Sequence, residues 1–291
     1  MMSAKNVFSA VRVALPILFL WLILGANWTN LKKESFGIFH SQGGAGFGIV
    51  AFVLGLAMLI VALYLAAEKS FQIGCGKTGK SIGGNQLLLV LSTSSFITIL
   101  SFLIISHSGS FRALGNVRGA GWGAAGAGLL AYFIPQILIL GIQFSGASKS
   151  TPLKDLDRKK VGFGAFISSI LIMLSPLFEW FSAGDETWNG YEPGAPRMGF
   201  IYLILGGVMA LVGSMRLREK GLAEPGGSLS HPYFNFMASL VVLTSTIAWL
   251  ITGFQRDDMA VGIGPWLALL AGIMLLGVAL FEFGKREVTA V

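Results

Sequence analysis

The chain has a single cysteine, Cys75, so it forms no intrachain disulfide and no multi-cysteine metal site. Charge is almost as scarce. Asp, Glu, Lys and Arg make up 12% of the 291 residues, where about 25% is usual for a soluble domain. Ionisable groups are missing from the middle of the apolar runs. Glu179 and Glu282 fall near run ends, Arg12 is close enough to an end to snorkel, and the deeper polar residues are amides such as Gln136 and Gln143. Proton-coupled carriers and intramembrane enzymes keep acids, histidines or basic groups at depth despite a cost of several kcal/mol each. Their lack argues against both classes. His40, His107 and His231 are dispersed over loops without metal-ligand spacing, and no nucleophile has a legible base partner. The expectation is a non-catalytic protein with no metal and no cofactor.

What the chain does have is apolar length. Hydrophobic residues are 54% of the sequence and the mean hydropathy is +0.73. A helix needs about 20 apolar residues to cross a hydrocarbon core. Eight runs approach or reach that: one near the N-terminus, then about 46–66, 86–106, 119–144, 161–181, 198–215, 233–254 and 262–283. The reading is an all-α integral membrane protein of eight transmembrane helices. The first run has the basic and apolar regions of a signal peptide, with Leu24 and Ala26 as an imperfect cleavage site. Retention as helix 1 is expected, because Asn27 and Trp28 at its end match Glu179 and Trp180 at the end of helix 5.

That match belongs to a longer series. Gly48, Leu54, Gly55, Met58, Val61, Glu68 and Lys69 lie 151 positions before Gly199, Leu205, Gly206, Met209, Val212, Glu219 and Lys220; Ser95 and Ile97 lie 150 before Ser245 and Ile247. Trp122, after Gly-Ala-Gly, pairs with Trp266, after Gly-Ile-Gly-Pro. The chain therefore reads as two four-helix units, residues 1–147 and 161–291, joined by a basic connector, 148–160, with five basic and two acidic residues. An even number of spans per unit makes the repeat parallel. With the N-terminus inside, 15 of the 21 Lys and Arg fall on the cytoplasmic side, so both termini are expected there. The expected location is a cell membrane, specifically a prokaryotic plasma membrane. The formal charge of +7 is explained by these loops, which would meet anionic lipids, and nucleic-acid binding is not expected.

Several motifs carry functional expectations. Residues 74–81, GCGKTGKS, satisfy G-x-x-x-x-G-K-S, but a P-loop needs a preceding strand and a following helix on a sheet. Here the next helix must enter lipid, so Lys77 and Lys80 are read as lipid contacts. Gly115, Gly119 and Gly123, spaced by four, are expected to form a helix-packing or partner face on helix 4, with Pro135 kinking the same span. Ser94 and Ser95 in a hydroxyl-rich helix 3, with Thr244 and Ser245 in helix 7, could line a polar path; own-helix hydrogen bonding is the plainer account. Trp28, Trp180, Trp122 and Trp266 are expected at the interfacial belt. The loop bearing Asp185, Glu186, Trp188 and Tyr191 extends that aromatic and acidic surface. No family resemblance reaches the level of named motif residues: a four-helix unit with a tryptophan after its first span resembles claudin-type bundles in outline, but the paired cysteines of that pattern are absent and nothing is carried over from it. The functional expectation is a structural or assembly subunit that joins other membrane subunits or itself; the alternative is a channel or carrier at the interface of the two repeats.

Overall fold

A computed structural model describes residues 4–25, 27–31, 34–40, 45–67, 72–73, 82–107, 117–143, 149–150, 154–192, 198–218, 231–285 and 288–289. Eight helices dominate it: α1 (Ala4–Gly25), α2 (Ala45–Ala66), α3 (Gly84–His107), α4 (Trp122–Gln143), α5 (Asp155–Leu174), α6 (Met198–Leu217), α7 (His231–Phe254) and α8 (Ile263–Lys285). Seven are long and apolar enough to cross a membrane, and α4 contributes a shorter apolar stretch, Trp122–Leu138. Helices are what such runs must form, because lipid offers no partner for backbone N–H and C=O groups. The architecture is that of an all-α multi-pass membrane protein.

Short strands close the loops, which an all-α reading does not anticipate. β1 (Thr29–Leu31) and β2 (Glu34–Phe36) form a hairpin after α1, and β5 (Val117–Ala120) joins it just before α4, giving the order β2-β1-β5. β7 (Glu179–Ala183) and β8 (Glu186–Asn189) form a hairpin after α5, and β9 (Ala260–Val261) joins it just before α8, giving β8-β7-β9. All pairings are antiparallel. The β7–β8 turn is made at Gly184, whose φ of +60° is a left-handed conformation that glycine adopts without steric cost. Elsewhere β3 (Gln72–Ile73) pairs with β4 (Ile82–Gly83), and β6 (Lys149–Ser150) pairs with β10 (Val288–Thr289). The last pairing puts the connector and the C-terminal segment on one side of the molecule.

Three expected boundaries are corrected. Helix α5 ends at Leu174 rather than near 181, because the chain turns there and continues as β7 from Glu179. Residues 117–120 are strand, since β1 takes them as its second partner with Thr29 opposite Ala120, so α4 starts at Trp122 rather than Gly119. Helix α5 starts at Asp155, taking in half of the 148–160 connector. Asp155 and Asp157 suit the positive end of the helix dipole, and Asp155 pairs with Arg158 and, at 3.1 Å, with Lys159 at the one-turn spacing that supports a helix.

The first four helices pack as a bundle, with α1 against α2 and α4, and α3 against α2 and α4. In the second four, α5 packs on α6 and α8, and α7 on α8. The tightest pair is α5–α6. A Cβ on Gly206 would lie 2.9 Å from Ser169 O, and one on Gly213 would lie 3.0 Å from Gly162 O and 2.9 Å from Phe166 N. The two bundles meet where α2 and α3 pack on α7.

Candidate functional site

The seam between the bundles collects the hydroxyl residues singled out in the sequence. Ser94, Ser95, Thr98 and Ser245 are fully buried there or beside it, and Thr244 is half-buried. Their donors are mostly spent locally. Ser95 Oγ donates to Leu91 O at 2.9 Å, Thr244 Oγ1 to Leu240 O at 2.7 Å, and Ser245 Oγ to Val241 O at 2.6 Å. One bond crosses the seam, Thr98 Oγ1 to Thr244 Oγ1 at 3.3 Å. Ser94 Oγ is buried without a hydrogen bond. Hydroxyls that bond their own helix carbonyls leave little to offer a passing solute.

Toward the sheet end the seam is filled with rings. Trp28 stacks on Phe102 at 5.0 Å; Phe102 meets Phe47 at 6.0 Å; Phe47 meets Trp249 at 6.0 Å; Trp249 meets Trp180 at 6.1 Å, and Trp180 meets Tyr202 at 5.7 Å. This series runs from the first sheet to α6 through both bundles. Ring pairs at such separations are worth about 0.5–1.5 kcal/mol each beyond their burial. The Tyr202 hydroxyl ends the series on α7, within 3.0 Å of Ser245 Oγ and 2.5 Å of Thr246 Oγ1. Alongside it the helices touch backbone to backbone. A Cβ on Gly46 of α2 would collide with Ala248 O and lie 2.5 Å from Thr252 Oγ1 and 2.8 Å from Thr252 N of α7.

At the opposite end of the helices sits an ionic cluster. Glu282 of α8 is fully buried, 2.7 Å from Arg216 Nη2 of α6, and accepts a 3.4 Å hydrogen bond from Asn235 Nδ2 of α7. In the first bundle Arg12 Nη1 of α1 donates to Asn85 Oδ1 of α3 at 3.1 Å. A buried pair of this kind holds when its geometry is good and is costly to break from one side.

The structure places the expected site residues in different surroundings. Trp122 and Trp266 are exposed on the bundle surface, 54% and 45%. Trp28 and Trp180 are not: at 0% and 2% exposure they are core residues, because β1 and β7 fold back over the helix ends and turn both indoles inward. The Trp180 indole N–H donates to Ser175 O at 3.0 Å, whereas the Trp28 indole N–H is buried without a partner. Asp185 and Glu186 are exposed at the β7–β8 turn, Trp188 stacks on Phe181 at 4.8 Å, and the Tyr191 hydroxyl donates to Met173 O at 3.3 Å. Burial raises the pKa of Tyr191 above its ordinary value. The Gly115, Gly119 and Gly123 face does not form as a helical stripe, since Gly119 is in β5; Gly123, in α4, donates its N–H to Asn27 O at 3.0 Å. Gly115, Cys75 and the GCGKTGKS segment lie outside the described residues. Among the described residues no group of three or more His, Cys, Asp or Glu could hold a metal ion.

Sequence reasoning gave no role to Phe47, Phe102, Trp249 and Tyr202, to the close helix contacts at Gly46, Gly206 and Gly213, or to the pairing of Arg216 with Glu282. One signal was available: Asn85 and Asn235 are 150 positions apart, the spacing that also relates Ser95 to Ser245. No family model matches this chain, and it has no significant match among characterised proteins or solved structures.

Proposed function

We propose that this is a non-catalytic membrane protein built from two parallel copies of one four-helix unit, with both termini cytoplasmic, and that it serves as a structural or assembly subunit of a membrane complex. The two-copy reading is supported by matching loop architecture. Each sheet places the first strand of a hairpin centrally and takes its third strand from the residues before the unit's last helix. Gly121 N–H donates to Trp28 O at 2.8 Å, and Gly262 N–H donates to Trp180 O at 3.0 Å. A Cβ on either glycine would collide with the carbonyl one residue earlier, Asn27 O or Glu179 O. Registered on this bond, Trp122 falls opposite Ile263 rather than Trp266. The positive-inside balance of Lys and Arg supports the orientation, and a prokaryotic plasma membrane is the setting we assign.

The subunit reading rests on the filled seam. Where a carrier between repeats would need a polar, hydrated interface, here α2 touches the α7 backbone at Gly46, aromatic rings occupy the sheet end, and hydroxyl donors are taken up by helix carbonyls. Ser94, whose buried hydroxyl has no bond, is the one observation that favours the alternative channel or carrier. A gentle-detergent pulldown with mass spectrometry tests the proposal: a stoichiometric partner, or a stable self-assembly, is the expected result. Solute or ion flux through proteoliposomes holding only this chain, abolished by a bulky residue at Ser94, would overturn it.

A further inference from the structure

We infer that the first bundle binds a phosphate group against Arg12, at the end of the molecule opposite its sheets. The inference needs the chain to lie in a membrane but does not rest on the subunit reading. Helices α1 to α4 contain no Asp or Glu, so nothing within the bundle neutralises the Arg12 guanidinium. Of the N–H donors in its planar fork, one on Nη1 goes to Asn85 Oδ1 at 3.1 Å, and Nε is buried without a hydrogen-bond partner. A cation drawn out of water without a counter-charge is costly. What faces it is a neutral amide and the ring of Phe8, whose centroid lies 5.8 Å from Arg12 Cζ. The second bundle shows the complete group. Asn235, 150 positions after Asn85, donates to Glu282, and Glu282 lies 2.7 Å from Arg216. Arginine, asparagine and carboxylate are together there, whereas the first bundle brings an arginine to its asparagine from α1 and has no carboxylate of its own to add.

Position selects the anion. The apolar stretch of α1 begins at Val7, so the Arg12 backbone is about 7.5 Å inside it along the helix. Its side chain runs back over Phe8, one turn nearer the helix start, and its bond partner Asn85 is the second residue of α3. The guanidinium is therefore directed to the headgroup level rather than into hydrocarbon. A partner helix would have to bury a carboxylate to meet it, while phosphate oxygens are abundant at that depth. Because α1 packs mainly on α2 and α4, the bond to α3 reaches across the end of the bundle, and Arg12 is only half-buried there. An arginine fork matches the geometry of phosphate oxygens. The first turn of α3, free of acids, adds the positive end of a helix dipole beside it. A phospholipid headgroup and a soluble phosphate offer this site the same chemistry.

The test uses the full chain in mild detergent. Thermal unfolding is followed with phosphatidylglycerol, phosphatidylcholine or inorganic phosphate added at matched ionic strength, and native mass spectrometry of the 31.0 kDa chain counts what is retained. The proteins compared are wild type, Arg12→Gln and Arg218→Gln, the last an exposed arginine just after α6 at the same end of the molecule. The expected result is one phosphate-bearing molecule per wild-type chain, held roughly tenfold or more weakly by Arg12→Gln and undiminished in Arg218→Gln. Stabilisation by the lipids assigns a headgroup, with phosphatidylglycerol the stronger because choline carries its own counter-charge; stabilisation by inorganic phosphate alone assigns the soluble source. A wild type indifferent to all three, or binding that the two variants weaken equally or not at all, would overturn the inference. So would a co-purified protein that Arg12→Gln releases while lipid and phosphate binding persist, because the arginine would then face a partner's carboxylate. Should Arg12→Gln not fold, Arg12→Lys, which keeps the charge and loses the fork, gives the same comparison. A chain that binds lipid through Arg12 but has no protein partner and no self-assembly would remove the subunit reading and leave this inference.

Discussion

Replacing Gly46 by alanine places a methyl group where α2 crosses α7. Its Cβ would lie 2.5 Å from Thr252 Oγ1, 2.8 Å from Thr252 N and closer still to Ala248 O. Two of these are backbone atoms of a helix buried along most of its length, and they cannot rotate away as a flexible side chain would. Ordinary carbon contacts need about 3.5 Å, so α2 must lift by about an ångström. That lift also loosens Phe47, the next residue, from Trp249 and Phe102, both 6.0 Å away ring to ring. Overpacking costs about 1–3 kcal/mol, and partial loss of two ring pairs adds about 1 kcal/mol. Against this stands a gain of about 0.5–1 kcal/mol from exchanging glycine for alanine in a helix. The net expectation is a loss of about 2 kcal/mol, roughly a thirtyfold shift toward the unfolded state. Gly207→Ala is the control, since nothing lies within 4 Å of its Cβ and only the helix gain applies. Thermal or denaturant unfolding of the purified protein in one detergent, for wild type and both variants, measures the difference. If Gly46→Ala is as stable as Gly207→Ala, the bundles do not meet through backbone contact at Gly46, and the argument for a closed seam fails with it.

Other expectations follow from single contacts. Glu282→Gln leaves Arg216 buried without its counter-charge and should cost about 3–5 kcal/mol, while Arg216→Leu with Glu282→Leu should recover most of the loss; thermal melting of the three proteins checks this. Trp180→Phe deletes the bond to Ser175 O and should cost about 1 kcal/mol more than the same change at Trp28, whose indole N–H has no partner to lose. Tyr191 has its pKa raised by burial, so its contribution is intact below the ordinary tyrosine value of about 10 and is lost as pH rises through the higher folded value. Melting measured from neutral to strongly alkaline pH should fall more steeply for wild type than for Tyr191→Phe, and parallel curves would refute the assignment.

The helices were legible because a run of some twenty apolar residues has one answer in lipid. The strands were not. At two to five residues each they are too short to show alternation, and β5 and β9 exist only because a hairpin distant in sequence offers an edge. Trp28 and Trp180 read as belt residues for the same reason: a tryptophan just past a span faces the interface unless the following chain folds back, and sequence alone does not say that it does. Small-residue contact was legible in kind but misplaced. The Gly-x-x-x-Gly spacing pointed to 115, 119 and 123, whereas the close contacts use Gly206 and Gly213, seven apart, against Gly162 and Ser169 of α5. Seven residues return to the same helical face as surely as four do, so the signal was present at a longer period. Glu282 read as a charge near a run end, and it and Arg216 do lie in the last turns of α8 and α6; their burial comes from α6, α7 and α8 converging, a tertiary fact.

The convergence also explains how the second bundle holds α6. That helix is packed mainly on α5, and its ties to α7 and α8 are directional. Near the sheets, the Tyr202 hydroxyl reaches Ser245 and Thr246; at the other end, Arg216 reaches Glu282, with Asn235 completing the group. Under the two-copy reading, the first bundle meets the same need differently: its Asn85 takes a single bond from Arg12 of α1, and α2 packs on α3. A hairpin of α5 and α6 docked through α5 on α8 and pinned at two polar points should respond to loss of either pin along the whole of α6. Amide exchange in Glu282→Gln should therefore rise through α6 as far as the turn holding Tyr202, while α2 stays protected. Exchange confined to the last turn of α6 would show that packing on α5 alone is sufficient and that the ion pair has no long-range part in the fold.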